Sequence, residues 1–326
     1  MAADAPDAAT SETPPDETPV TLIGADDALS ELARAKVNLF LHVRGRRPDG
    51  RHTLESLAVF PDIGDLLAAE RSPIRSLSLE GPFAAQLGAG DENLVLRATE
   101  ALGAAVGLAD GVALRLDKRL PVASGIGGGS ADAAATLRLL MRLWGRAPDD
   151  AGLRALALAL GADVPVCLSS APAMMAGVGE ALTPAPPFPA FWLVLANPLA
   201  AVSTAAVFGA LTRRDNPPGD RPPARFADLG ALVAWLARQR NDLETPARAL
   251  APVISRVLSA LRWAPECRLA RMSGSGATCF AIVADQAAAL AMAQRLRAAE
   301  PGWWVAPARV RTWSGMAPDE DWTAAR

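Results

Sequence analysis

The chain has 326 residues and a mass of 33.8 kDa, which is room for about two ordinary domains. It is 51% hydrophobic and 21% charged, so most of it can bury a core and global disorder is excluded. Its 32 Lys+Arg against 35 Asp+Glu leave a net charge of −3 with no basic tract, which excludes a partner held through bulk positive charge, nucleic acid above all.

Residues 1–28 are rich in Ala, Asp, Pro, Thr and Glu, carry no Arg or Lys, and read as a disordered acidic tail. The tail has neither the positive start nor the apolar stretch of a secretory signal. Ala33–Val43 and Leu54–Val59 read as strands, and Val112–Asp117 alternates as a half-buried strand. Lys118-Arg119-Leu120-Pro121 then leads into a glycine-rich run. From Ser130 onward Ala134, Leu137, Met141 and Trp144 recur at helical steps. Ala151–Leu160 is a second helix stopped by Gly161, and Val164–Leu168 reads as a strand. Prolines 184, 186, 187 and 189 mark a boundary between two α+β units, 29–185 and 186–320. They also break the charge-free stretch 181–212, so no membrane span is expected.

The second unit opens with a strand at Phe191–Ala196 and a helix at Ser203–Leu211, followed by a Pro/Arg/Asp loop over 213–225. Helices are predicted over 226–240, 246–262 and 286–299. Strands are predicted at Cys267–Met272, Thr278–Ala284 and Trp303–Val310, the first two flanking Ser273-Gly274-Ser275-Gly276. Cys167, Cys267 and Cys279 are far apart, each in an apolar run that reads as a strand. With no CxxC pair they offer no metal site and fit buried, reduced thiols of a cytoplasmic protein.

The strongest chemical signal lies between the Val112–Asp117 strand and the helix after it. Glycines at 125, 127, 128 and 129 let the backbone approach a ligand, and the unpaired N–H groups of the helix start face phosphate oxygens. Spelling excludes a Walker A loop, which needs Gly-Lys-Ser/Thr, and the dinucleotide fingerprint, which needs G-x-G-x-x-G. Asp132 in the first helical turn is either a carboxylate favoured by the helix dipole or part of a Mg²⁺ site. Only Lys36 and Lys118 are lysines in a chain that otherwise uses Arg. Lys118 reads as solvating a strand end, and His42 as structural.

Pro121–Ala135 and Ser273–Thr278 resemble the GHMP superfamily of small-molecule kinases, which includes galactokinase and the homoserine, mevalonate and phosphomevalonate kinases. Four further runs, A-K-V-N-L-F-L from Ala35, G-R-R-P-D-G-R-H-T-L from Gly45, D-E-N-L from Asp91 and G-A-D-V-P-V from Gly161, resemble one branch of it. That branch phosphorylates a cytidine-diphosphate-linked polyol on the non-mevalonate isoprenoid route. The resemblance implies an α+β, two-domain GHMP kinase fold. Its N-terminal unit would be ribosomal-protein-S5-domain-2-like, its C-terminal unit ferredoxin-like, with the active site in the cleft between them.

It also implies ATP with Mg²⁺, a small-molecule substrate, and no protein-held metal. Pro121, Val122, Ala123, Ser124, Gly125, Ile126, Gly127, Gly128, Gly129, Ser130, Ala131 and Asn93 would bind the nucleotide. Lys36 and Asp163 would serve the accepting hydroxyl, the ammonium keeping the carboxylate ionised. Asn38, Arg51, His52 and Phe208 would bind the substrate, His52 at the cytosine edge and Phe208 as an aromatic face. The chain departs from the pattern twice. Arg51 stands where the family has Tyr, and a guanidinium plane also stacks on a base; Ala131 replaces a second Ser. Two other readings remain open, a different GHMP kinase and a silent nucleotide-binding regulator, with the chain a monomer or homodimer.

Overall fold

Ala35 and Lys36 divide what looks like one apolar strand in the sequence. Leu29–Arg34 (β1) and Val37–Arg46 (β2) lie in different sheets. The break is pinned from two sides, by Ala35 N–H donating to Ile63 O and Lys36 N–H to Ile126 O, both at 2.9 Å. The computed structural model describes residues 29–315 except 89, 91, 109 and 110, so the predicted acidic tail, Asp91 and the end of the second unit lie outside the described residues.

The first half continues with β3 (His52–Val59), β4 (Gly64–Arg71), β5 (Ser76–Glu80), α1 (Leu94–Val106), β6 (Val112–Asp117), α2 (Gly128–Trp144), α3 (Asp150–Leu160), α4 (Val164–Ser169), β7 (Ala173–Gly177) and β8 (Ala181–Pro184). The second half holds β9 (Phe191–Asn197), α5 (Thr204–Gly209), α6 (Leu229–Ala237), α7 (Glu244–Leu250), α8 (Val253–Trp263), β10 (Leu269–Met272), β11 (Cys279–Val283), α9 (Gln286–Ala299) and β12 (Trp304–Val310). Three four-stranded sheets result, in the orders β1-β4-β6-β5, β2-β3-β7-β8 and β10-β11-β9-β12. The last is fully antiparallel with two long helices crossing over it, the ferredoxin-like arrangement.

One core packs α1 and α2 on the first sheet, through Leu102, Leu137, Leu67 and Leu116. Another joins β2 and β3 to the third sheet, Leu39 and Leu57 meeting Phe191 and Phe280. Burying each such side chain contributes about 1.5–3 kcal/mol, so the two halves share apolar stabilisation across residues 184–189. Arg271 reinforces the seam: its buried guanidinium donates to Leu39 O at 2.7 Å and to Leu236 O and Gln239 O at 2.8 and 2.7 Å. Burial lowers its pKa to about 10, and it stays charged at neutral pH.

Several predicted elements change. Val164–Leu168 is helical, part of α4; a short apolar run does not distinguish strand from helix, and Pro165 fits a first helical turn. Cys167 therefore sits in a helix, and Cys267 precedes β10 rather than lying in it. The 246–262 helix is two, α7 and α8, because Pro252 interrupts it. Strands β4, β5, β7 and β8 and helix α1 have no counterpart among the predicted elements. Among the described residues, no helix is long and apolar enough to cross a membrane.

Candidate active site

A cleft of about 910 Å³ runs between the glycine-rich loop, the β2–β3 hairpin and the α5 segment. At its centre Lys36 Nζ donates to Asp163 Oδ2 at 2.7 Å. The β1–β2 break aims Lys36 into the cleft, with its side chain 6% exposed, while Asp163 is 39% exposed. Asp163 precedes α4 without capping it, which leaves its carboxylate for Lys36.

The glycine loop is shaped by close approaches. Gly125 has φ +75°, and a Cβ there would lie 2.5 Å from Gly276 O. Gly127 has φ +65°, and its Cβ would lie 3.2 Å from Lys36 Cβ. The loop is thus clamped between the Ser273–Gly276 turn and the lysine. Ser273 Oγ donates to Gly125 O at 3.1 Å and Thr278 N–H to Ser124 O at 3.1 Å. Gly127 occupies the N-cap of α2, and no side chain caps the helix. Its first N–H groups are left to an anion.

Of the predicted nucleotide residues, Ala123, Ser124, Gly125, Gly127, Gly128, Gly129 and Ser130 line the cleft. Ile126 and Ala131 are core residues that anchor the loop, and Pro121 is buried behind it. Val122 is half-buried and outside the lining. Asn93 stands apart: its Oδ1 accepts from Val95 N–H at 3.0 Å to cap α1, and its Nδ2 donates to Gly88 O at 2.9 Å.

Asn38, Arg51, His52 and Phe208 all line the cleft. Asn38 Nδ2 donates to Ser56 Oγ at 2.7 Å, leaving its buried Oδ1 without a partner. His52 stacks on Phe208 with ring centroids 4.8 Å apart and 21° between planes. That spacing leaves no room for a base between the two rings. Burial, then the charges of Arg46 and Arg214, lower the His52 pKa and keep the ring neutral at pH 7. His42 is structural as expected, fully buried with Nε2 accepting from Arg240 N–H at 3.2 Å.

Lys118 overturns its predicted solvation. It is 1% exposed, and its Nζ donates to Asp65 Oδ2 and Asp132 Oδ2, both at 2.6 Å. Two long-range carboxylates outcompete water for the ammonium. Burial works against its charge, but Asp132 and Asp65 outweigh it and raise the pKa. Asp132 is likewise buried and outside the cleft lining, so it is not placed to ligate Mg²⁺. The triad sits directly beneath the glycine loop, since a Cβ on Gly128 would lie 3.2 Å from Lys118 Nζ. Arg46, Ser56, Thr204 and Arg214 also line the cleft and were not singled out in the sequence; Arg46 lies within the run that starts at Gly45, whereas nothing local sets the other three apart.

Burial raises the Asp132 pKa, and the Lys118 ammonium at 2.6 Å pulls the other way.

Residues 93–171 match the GHMP kinases N terminal domain, and residues 224–302 the GHMP kinases C terminal domain. The chain is 57% identical over 280 residues to the 4-diphosphocytidyl-2-C-methyl-D-erythritol kinase of Cereibacter sphaeroides, covering 85% of this chain and 98% of that one. It is 54% identical to the kinase of the same name from Paramagnetospirillum magneticum, over 85% and 97% of the two chains. A crystal structure of 4-(cytidine 5′-diphospho)-2C-methyl-D-erythritol kinase superposes with a TM-score of 0.71 at 36% identity, over 86% and 99% of the chains. The homoserine kinase of Cytophaga hutchinsonii, with a TM-score of 0.64 at 18% identity over 91% and 99%, shares the fold alone. The chain belongs to the 4-diphosphocytidyl-2-C-methyl-D-erythritol kinase family, within the GHMP kinases.

Proposed function

We propose that the chain transfers the γ-phosphoryl group of ATP to the 2-hydroxyl of 4-diphosphocytidyl-2-C-methyl-D-erythritol, with Lys36 and Asp163 serving the hydroxyl. The observation that carries this reading is the Lys36–Asp163 pair set beside an uncapped helix start in one cleft. The hydroxyl oxygen forms a bond to the γ-phosphorus, the bond from that phosphorus to the β–γ bridging oxygen breaks, and ADP leaves. Asp163 orients the hydroxyl and accepts its proton. Lys36 fixes the Asp163 carboxylate through the 2.7 Å hydrogen bond and faces the charge on the moving phosphoryl group. The N–H groups of the α2 start and the glycine loop cradle the ATP phosphates.

Among the described residues, no three His, Cys, Asp or Glu side chains gather around a metal position. Ser130, on the cleft wall in the first turn of α2, would be the side chain to hold a Mg²⁺ that enters with ATP. Bound there, it would supply charge neutralisation between the β- and γ-phosphates.

The deciding experiment is ADP release by the purified protein with Mg-ATP and, in turn, 4-diphosphocytidyl-2-C-methyl-D-erythritol, mevalonate, homoserine and galactose. Turnover on the cytidine compound alone is expected. Turnover on another alcohol, or on none, would refute the substrate while leaving the family fold in place.

A further inference from the structure

The cleft is far more positive than the chain that forms it. The whole protein carries a net charge of −3. The charged side chains lining the cleft are Lys36, Arg46, Arg51, Arg214 and Asp163, which is four cations against a single carboxylate. Asp163 already pairs with Lys36. Among the described residues, no carboxylate lies in ion-pair range of Arg46, Arg51 or Arg214, although Arg47, next in sequence to Arg46, pairs with both Asp49 and Glu180. Three uncompensated guanidiniums at one end of a cleft raise each other's electrostatic energy, and an anionic ligand relieves it.

Their placement is built. Arg46 and His52 are paired across the β2–β3 ladder, and Arg46 Nε donates to Gly50 O at 3.0 Å, closing the hairpin. Arg51 is fixed at its backbone, where its N–H donates to Asp49 Oδ1 at 3.0 Å. Arg214 comes from the loop after α5, which is stapled to β2. Asn216 Nδ2 donates to Val43 O at 3.1 Å, Arg44 donates to Asn216 O, and Arg240 donates to Pro217 O at 2.7 Å. The charges of Arg46 and Arg214 also bear on His52, which places these two near the His52–Phe208 stack, and Arg51, next to His52 in sequence, lines the same cleft.

These arginines are not placed for the ATP phosphates. The glycine loop touches the chain at Lys36, beside the Val37–Val59 end of the β2–β3 ladder. His52 lies at the opposite end of β3, seven residue steps or roughly 23 Å away. We propose that Arg46, Arg51 and Arg214 form a diphosphate-reading rim that holds the two phosphates of the acceptor substrate between the His52 end of the cleft and the Lys36–Asp163 pair. The inference rests on the acceptor proposed above, whose diphosphate links its cytidine to its polyol. Guanidiniums suit the task because their planar forks take phosphate oxygens two at a time. Arg51 thereby gains a role at the position where an aromatic ring is expected.

The test is competition by cytidine, CMP and CDP in the ADP-release assay, with calorimetric binding of the same three compounds to the full chain. In the wild type each added phosphate should tighten binding several-fold, and more so at low salt. The double variant Arg51→Gln, Arg214→Gln should lose about tenfold or more of the CDP-to-cytidine preference. Its affinity for cytidine and its KM for ATP should stay within about twofold, and Arg214→Lys should keep part of the preference. A wild-type preference that survives in the double variant overturns the rim and leaves the substrate standing. Cytidine affinity falling in step with that of CDP places the guanidiniums on the base and also overturns it. If the wild type binds neither cytidine nor CDP, the proposed acceptor itself fails, and the rim with it.

Discussion

Asp163→Asn and Lys36→Ala are each expected to lower kcat by about 10²-fold or more while Mg-ATP still binds. Asparagine keeps the shape of Asp163 and a hydrogen-bond acceptor but removes the charge that Lys36 stabilises at 2.7 Å, so it can no longer take the hydroxyl proton. Fold damage is a poor competing explanation for Asp163, which is 39% exposed and caps nothing. Lys36 needs a second variant. Gly127 rests against the stem of Lys36, so truncation to Ala also loosens the glycine loop. Lys36→Met keeps the stem and removes only the ammonium, so it isolates the charge. Because the pair works as a unit, the double variant Lys36→Met, Asp163→Asn should be little worse than either single one. Single-turnover rates and ATP binding would be measured for all four proteins. Rates within about threefold of wild type in Asp163→Asn and Lys36→Met would refute the proposed roles.

The parts of this site that are legible in the sequence are those written into short runs. Glycines 125, 127, 128 and 129 announce the loop because no ordinary turn needs that many positions free of Cβ, and the structure holds Gly125 against Gly276 and Gly127 against Lys36. Lys36 stands out as one of two lysines and through its place in the A-K-V-N run of the family resemblance. What escaped the sequence depends on distant partners. Lys118 looked solvated because Asp65, its partner 53 residues away, lies in β4, a strand that no alternation revealed. Arg214 is an ordinary Arg in an Arg-rich chain, and Arg46 one of three in the run from Gly45, until β2 and the loop after α5 bring them to one cleft wall. The split of 33–43 into β1 and β2 was hidden for a related reason. Ala35 and Lys36 leave the strand to meet Ile63 and Ile126, contacts with no trace in local periodicity.

Lys118→Met should have the largest effect on stability, a loss of about 3–5 kcal/mol, because it leaves two carboxylates buried without their shared counter-ion. Total stability of a domain is of order 5–15 kcal/mol, so the variant sits near the edge of folding. The expected readout is a lower urea midpoint with an unchanged slope. The partners are not equivalent, which makes the prediction sharper. Asp65 Oδ1 also accepts from the N–H groups of Arg119 and Leu120, at 2.6 and 2.8 Å, so removing Asp65 would strand two backbone donors. Asp132 Oδ1 has no partner at all. Asp132→Asn, added to Lys118→Met, should therefore recover part of the lost stability, whereas Asp65→Asn added to the same background should recover less or none. Since the triad underlies Gly128, the surviving folded fraction of Lys118→Met should also show a raised KM for ATP ahead of any change in the KM for the alcohol. A midpoint change worth less than about 1 kcal/mol in Lys118→Met would show that water or a shifted proton replaces the ammonium, and would end the claim that this buried triad holds the phosphate loop in place.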